Sequence, residues 1–206
     1  MKKLYWAALT SIFAVGLALA ISPAKAQQNV NCTATLPAGT YANVNVPKNA
    51  SCAIGSPVTI LGNVIVASGA TLTVVPGSVT PPGVHINGSV VATDALSVTL
   101  AAETVGGNVT LRGTTGEVEI AAVNIGGNTQ VIGSIAGPVY VESNTVLGNV
   151  SVNNNSTTTT INQIAGNTIG GNLVCVGNTP APIDMLPTTP VPNTVGGNKV
   201  GQCSGL

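Results

Sequence analysis

The stretch Gly148-Asn149-Val150-Ser151-Val152 decides the fold, because near copies of it recur along most of the chain. In each copy a polar pair precedes apolar residues at every second position, which is typical of a strand with one buried face. The repeated polar positions are Asn43, Asn63, Ser89, Asn108, Asn128, Asn149, Asn172 and Asn198, separated by 19 to 26 residues. A repeat of this length indicates stacked structural units.

Two further short apolar stretches follow within each repeat, such as Val118 with Ile120, and Val123 with Ile125. Three strands in about 20 residues predict one turn of a solenoid. The chain is therefore expected to be all-β, a single-domain right-handed parallel β-helix of about eight three-strand coils, because crossovers between parallel strands are almost always right-handed.

The Gly-Asn pair suits a corner between strands. Glycine reaches turn conformations without steric cost, and asparagine tolerates them better than most residues. An Asn amide both donates and accepts, so equivalent side chains in successive coils can bond along the axis. We expect a structural Asn ladder at a partly buried corner, formed by Asn43, Asn63, Asn108, Asn128, Asn149, Asn172 and Asn198.

The first 26 residues have the features of an export signal. Lys2 and Lys3 precede an apolar run over residues 4–21, and Ala24-Lys25-Ala26 supplies small residues for cleavage. A retained membrane anchor is the alternative, since 18 residues could just span a bilayer. We expect residues 1–26 to be a signal peptide and residues 27–206 to be secreted to the extracellular space, cell surface or periplasm, with no membrane association after cleavage.

Charge is scarce beyond residue 26. Three basic residues, Lys48, Arg112 and Lys199, stand against six acidic ones, a formal net charge of −3. No basic patch could neutralise a run of phosphates, so nucleic-acid binding is not expected. Arg112 aligns one repeat away from Asp94, which predicts a surface ion pair.

The four cysteines lie near the ends of the predicted solenoid. An oxidising compartment favours disulfides, and three pairings are possible on paper. Cys32 and Cys52 are one repeat apart, and Cys175 and Cys203 bracket the last repeat. These spacings favour bridges between neighbouring stacked strands that close both ends.

The expected caps are residues 27–56, which include the first coil, and residues 195–206. Residues 176–194 contain five prolines and are expected to form an extended loop outside the strand ladders. The cysteines lack a close pair and His85 is the single histidine, so no metal or cofactor is predicted.

The repeated Gly-Asn-Val-x-Val pattern resembles the secreted bacterial right-handed parallel β-helix repeat proteins. The segments 170–175 and 193–203 resemble the closing segment of uncharacterised members of that group. The resemblance covers roughly residues 40–203. It implies a fold and no single function, because the same architecture carries lyases, adhesins and filaments.

Glu117 and Glu119 are the candidate ligand site. They flank the inward Val118, so both carboxylates are expected in solvent about 7 Å apart. Paired carboxylates can hydrolyse glycosides, but the pattern offers nothing that would raise one pKa. A solvated face is the simpler interpretation.

A flat threonine array for binding ice was tested on the residues expected to point outward from the first strand of each coil. The column is irregular: Asn45, Ile65, Val91, Thr110, Gln130, Ser151, Val174 and Val200. A lattice-matched surface is therefore not expected on this strand.

Three function classes remain. The favoured one is an exported, non-catalytic structural or adhesive protein, in which case the chain is not an enzyme. Its expected partners are envelope or extracellular polysaccharide or another surface protein. The second is a carbohydrate-binding or carbohydrate-cleaving β-helix that uses Glu117 and Glu119. The third is a small accessory or capping subunit of a larger assembly.

Overall fold

Three parallel sheets form the body of the molecule. A computed structural model describes residues 28–55, 57–75, 83–158, 161–186 and 188–206. The chain passes through sheet 1, sheet 2 and sheet 3 in turn and returns to sheet 1 one coil further along the axis. This is the parallel β-helix predicted from the repeat. The predicted signal peptide, residues 1–26, lies outside the described residues.

The strands of each sheet are hydrogen-bonded in chain order. Sheet 1 has nine strands: β1 (Val30–Asn31), β4 (Val44–Val46), β7 (Val64–Val66), β10 (Val90–Thr93), β13 (Val109–Arg112), β16 (Thr129–Ile132), β20 (Val150–Asn153), β24 (Leu173–Val176) and β28 (Lys199–Gly201). Sheet 2 has seven strands: β2 (Thr35–Leu36), β5 (Ser51–Ile54), β8 (Thr71–Val74), β11 (Ser97–Ala101), β14 (Val118–Ala121), β18 (Val139–Glu142) and β22 (Asn162–Ala165). Sheet 3 has eight strands: β3 (Gly39–Tyr41), β6 (Val58–Ile60), β9 (Val84–Ile86), β12 (Thr104–Val105), β15 (Asn124–Ile125), β19 (Thr145–Val146), β23 (Thr168–Ile169) and β27 (Thr194–Val195). The predicted count of about eight coils differs slightly from the strand counts of sheets 1 and 2.

Smaller elements lie outside the three parallel sheets. Strands β17 (Ile135–Ala136) and β21 (Ser156–Thr157) pair in parallel, and β25 (Met185–Leu186) and β26 (Thr189–Pro190) form an antiparallel pair. A 3₁₀ turn at Gln202–Gly205 closes the described chain. None of the residues that the structure describes belongs to a helix long and apolar enough to cross a membrane.

The core is a stack of aliphatic side chains. In β7, Val64 and Val66 are buried while Ile65 between them is 48% exposed, as alternation requires. The register places Val64 beside Val90 in the next coil, and equivalent residues continue this column along the axis. Leu96 is 51% exposed although the alternation of Leu96, Val98 and Leu100 predicts that it points inward, because β11 begins one residue later.

Both predicted disulfides are present. Cys32 bonds Cys52 with Cα atoms 5.4 Å apart, and Cys175 bonds Cys203 with Cα atoms 5.2 Å apart. Their placement differs from the expectation of neighbouring stacked strands. Cys52 lies in sheet 2 whereas Cys32 follows a strand of sheet 1, and Cys203 lies in the 3₁₀ turn. Each bridge therefore ties a strand to a different element at one end of the solenoid.

The proline-rich segment is attached to the body more closely than expected. Thr179 and Ile183 form parallel bridges to Ser156 and Gln163 of the preceding coil. The N–H of Ile164 donates to the Ile183 carbonyl oxygen at 2.8 Å. Prolines remove individual donors from a ladder, but the residues between them keep theirs. The segment thus covers the last strand of sheet 2.

Candidate functional site

An acidic cluster lies on the outer face of sheet 2. Glu119 in β14 pairs in register with Tyr140 in β18, and Glu142 follows two residues after Tyr140 on the same face. Glu117 precedes β14 by one residue and is exposed. Strand alternation therefore brings three carboxylates and one phenol together on one outer surface.

The environment of these groups differs from the sequence expectation. Burial raises the pKa of Glu119, and the neighbouring Glu117 carboxylate raises it further. Burial and the Glu119 carboxylate also raise the pKa of Glu142. The pKa of Tyr140 is raised by burial first and then by the three carboxylates. The expectation that nothing raises one pKa was wrong, because burial and the Glu117 carboxylate both raise the pKa of Glu119.

This cluster can accept hydrogen bonds from hydroxyl groups and attract cations. Within the described ranges, no group of three or more His, Cys, Asp or Glu residues is arranged to hold a metal ion. Glu117 and Glu119 are about 7 Å apart by their strand spacing, which lies within the range seen for paired carboxylates in glycosidases.

The asparagines of the Gly-Asn repeat are stacked where sheet 3 turns into sheet 1. The N–H of Asn128 donates to Asn108 Oδ1 at 2.8 Å, and the N–H of Asn149 donates to Asn128 Oδ1 at 2.8 Å. The same contact links Asn43 to Asn63, Asn149 to Asn172, and Asn172 to Asn198. Ser89 accepts through its hydroxyl oxygen.

This corner is more open than the sequence suggested. Asn108, Asn128 and Asn149 are exposed, so the expectation of a partly buried corner was wrong for them. Their glycine partners pack closely instead. A Cβ atom on Gly127 would lie 2.8 Å from the Gly107 carbonyl oxygen, so the backbones approach too closely for a side chain.

The other two corners of each coil contain inward-facing polar residues that the repeat analysis missed. Where sheet 2 turns into sheet 3, successive coils place Glu103, Val123, Asn144, Asn167 and Asn193 in one column. Where sheet 1 turns into sheet 2, the column is Thr114, Ser134, Asn155, Asn178 and Gln202. A residue in the left-handed region precedes most of these positions, such as Ser143 with φ 55° and Gly166 with φ 66°.

The buried asparagines of these two columns use both the oxygen and the nitrogen of their amides in bonds along the axis. Asn167 Nδ2 donates to the Val141 carbonyl oxygen at 2.7 Å and to Asn193 Oδ1 at 2.8 Å. Its Oδ1 accepts from the N–H of Asn144 at 3.0 Å. Asn155 and Asn178 repeat this arrangement at the other corner. We call these two columns the buried amide ladders.

Glu103 occupies the same column as the first buried amide ladder, but without partners. Its side chain is 4% exposed, and neither carboxyl oxygen has a hydrogen-bond partner among the residues that the structure describes. The register places it between Val84 and Val123 of the adjoining coils. Burial raises the pKa of Glu103 well above its ordinary value. The folded protein therefore favours the neutral carboxyl.

Arg112 does not form the expected ion pair. Its Nη2 donates to Gln130 Oε1 at 3.1 Å in the next coil. Register pairs Arg112 with Thr93, and the neighbouring Asp94 lies in the following turn, with φ 51°. A hydrogen bond to a neutral amide replaces the ion pair because the turn at Asp94 leaves the strand.

No family model, curated protein or solved structure matches the chain. The parallel solenoid is therefore established by the structure itself. The resemblance to an uncharacterised bacterial subgroup stays a prediction.

The buried amide ladders predict a difference between two asparagine substitutions. Asn167→Ala leaves the buried Asn144 N–H without its acceptor and removes the amide donor to the Val141 carbonyl oxygen, so we expect a loss of about 2 to 3 kcal/mol of unfolding free energy. Asn128→Ala removes an exposed amide and should cost about 1 kcal/mol or less. Denaturant titration of both variants measures the two values. Equal losses would contradict the placement of the buried ladder.

The burial of Glu103 predicts that the free energy of unfolding falls as the pH rises. The neutral carboxyl is favoured in the fold, so its contribution is fully present below the unfolded pKa near 4.5 and is lost as the pH rises through the folded value. Glu103→Gln removes this titration. Between the unfolded pKa near 4.5 and the raised folded pKa, the difference in unfolding free energy between parent and variant should change by up to about 1.4 kcal/mol per pH unit.

The control for this measurement is Glu117→Gln, which removes the same formal charge from an exposed position. Unfolding curves between pH 4 and pH 8 compare the three proteins. A parent and Glu103→Gln variant with parallel pH profiles would show that Glu103 is ionised in the folded protein.

Proposed function

We propose that the chain is an exported, non-catalytic adhesive scaffold of the cell surface or extracellular space. The observation that carries this proposal is the regularity of the outer face of sheet 3, which keeps mostly short, uncharged polar side chains in register from coil to coil. Such a face suits a long, repetitive partner such as an envelope or extracellular polysaccharide.

Hydrogen bonds between successive coils stiffen the solenoid along its axis, which suits a scaffold. Backbone hydrogen bonds join successive coils through three parallel sheets. The exposed Asn ladder and the two buried amide ladders add bonds in the same direction at the corners. The end bridges close loops of 20 and 28 residues, and each is expected to stabilise the fold by about 3 kcal/mol.

Export is supported by two features. The apolar run and small residues before position 27 are typical of a signal peptide. Both disulfides fit an oxidising compartment, where thiols remain paired. These features favour the cell exterior or the periplasm as the place of action.

The acidic cluster favours a second candidate function. The raised pKa of Glu119 would help it to hold a proton for donation, while Glu117 stays exposed beside it. A carbohydrate-cleaving protein would need both groups at the scissile bond. This candidate predicts new sugar ends in a treated polysaccharide, which an adhesive scaffold does not produce.

Sedimentation with envelope material tests the adhesive function. The chain is recovered after secretion, mixed with envelope and extracellular polysaccharide of the producing cell, and pelleted. We expect it in the pellet, with no increase in reducing ends in the supernatant.

The control is the double variant Glu117→Gln, Glu119→Gln, which should sediment as the parent does. Parent protein that stays wholly in the supernatant would contradict the adhesive function. Release of reducing ends by the parent but not by the double variant would establish the second candidate instead.

A further inference from the structure

The outer face of sheet 3 carries a regular column of short polar side chains. Register places them one per coil, about 4.8 Å apart along the axis. The column is Thr40, Thr59, His85, Thr104, Asn124, Thr145, Thr168 and Thr194. Six of the eight are threonines, and all eight are exposed or half-buried. We call this surface the threonine face.

A groove runs beside part of this column. It has a volume of about 280 Å³ and is bounded by Thr104, Asn124, Thr145 and Leu147, with Gly106 and Gly126 as its floor. A Cβ atom on Gly126 would lie 3.2 Å from the Gly106 carbonyl carbon, so close stacking of the coils keeps this floor free of side chains. Leu147 is 70% exposed at the edge of the groove.

The strands that carry the threonine face lack acidic and basic side chains other than His85. These eight strands contain no Asp, Glu, Lys or Arg. The polar residues supply hydroxyl, amide and imidazole groups that can donate or accept hydrogen bonds. The threonine methyl groups, Leu147 and the glycine backbone supply apolar contact area. An uncharged ligand in which hydroxyl groups alternate with C–H surfaces matches both the hydrogen-bonding groups and the apolar contact area.

We propose that the threonine face is a binding site for a neutral, unbranched polysaccharide that lies extended along the solenoid axis. This rests on the proposed adhesive function and names its surface and ligand class. The sugar hydroxyls bond to the polar column, one coil after another. The C–H face of a sugar ring covers the glycine floor between Thr104 and Thr145, against Leu147.

Two other occupants fit the face less well. Ice requires one repeated hydroxyl pattern, but His85 and Asn124 interrupt the threonines and Leu147 projects beside them. A second copy of the chain would need a larger apolar centre than Leu147 and the glycine floor provide. Thermal hysteresis of freezing and the oligomeric state of the parent protein test these two occupants.

The test uses affinity gels that contain regenerated cellulose, chitin, xylan or mannan, with alginate as a charged comparison. We expect retardation by at least one neutral polysaccharide and none by alginate. The double variant Thr104→Val, Thr145→Val removes two hydroxyl groups and should weaken binding to that polysaccharide at least tenfold. Thr110→Val, an outward threonine of sheet 1, is the matched control and should bind as the parent does.

Leu147→Glu provides a second variant that folding tolerates, because the side chain is exposed. It places a charge at the edge of the groove and should also weaken binding at least tenfold, while its melting temperature stays near that of the parent. Thermal hysteresis of freezing in the parent, or a dimer broken by Leu147→Glu, would assign the face to ice or to a second copy and overturn the proposal.

The outcomes separate this site from the adhesive function. Parent protein that pellets with envelope material but is not retarded by any neutral gel overturns the threonine face alone. The same conclusion follows if the face variants bind as tightly as Thr110→Val. Parent protein that fails to pellet contradicts the adhesive function, whereas the gels still decide whether the face binds polysaccharide.

Discussion

Hydrogen bonds that run along the axis are the interaction on which this molecule depends. Each strand has its backbone partners one coil away, so a coil cannot hold its shape unless the next coil repeats its path in register. The corners decide whether that path can repeat. The strand ladders end at the corners, and the buried amides of Asn144, Asn167 and Asn193 bond from inside to a carbonyl oxygen near the end of the preceding sheet 2 strand.

The outer faces follow from this constraint. Once the corners fix the register, side chains at equivalent positions of successive coils lie above one another. A residue type that recurs at one position of the repeat therefore forms a column along the surface. The threonine face and the acidic cluster arise in the same way on different sheets. One presents neutral hydroxyl groups over many coils, whereas the other brings together Glu117, Glu119 and Glu142 over two coils. The first geometry suits an extended partner and the second a local one.

Much of the fold could be predicted from the sequence because the repeat reports strand alternation directly. The corners could not, because one dipeptide serves two conformations. Gly171-Asn172 leaves its asparagine side chain on the outer corner, while Gly166-Asn167 has glycine at φ 66° and a buried asparagine. The threonine face was missed for a simpler reason. The search for a flat array used the first strand of each coil, but Thr145 and Thr168 lie on the third.

Hydrogen exchange of the corner amides tests the central claim most directly. The N–H groups of Val123, Asn144 and Asn167 donate to buried asparagine oxygens, so they should exchange only when the whole solenoid unfolds. Residue-resolved exchange by NMR should place them in the slowest class, together with the strand amides of Ile120 and Val141. Exchange of these three amides at the rate of exposed, unbonded N–H groups would contradict the account, because the corners would then open without the coils.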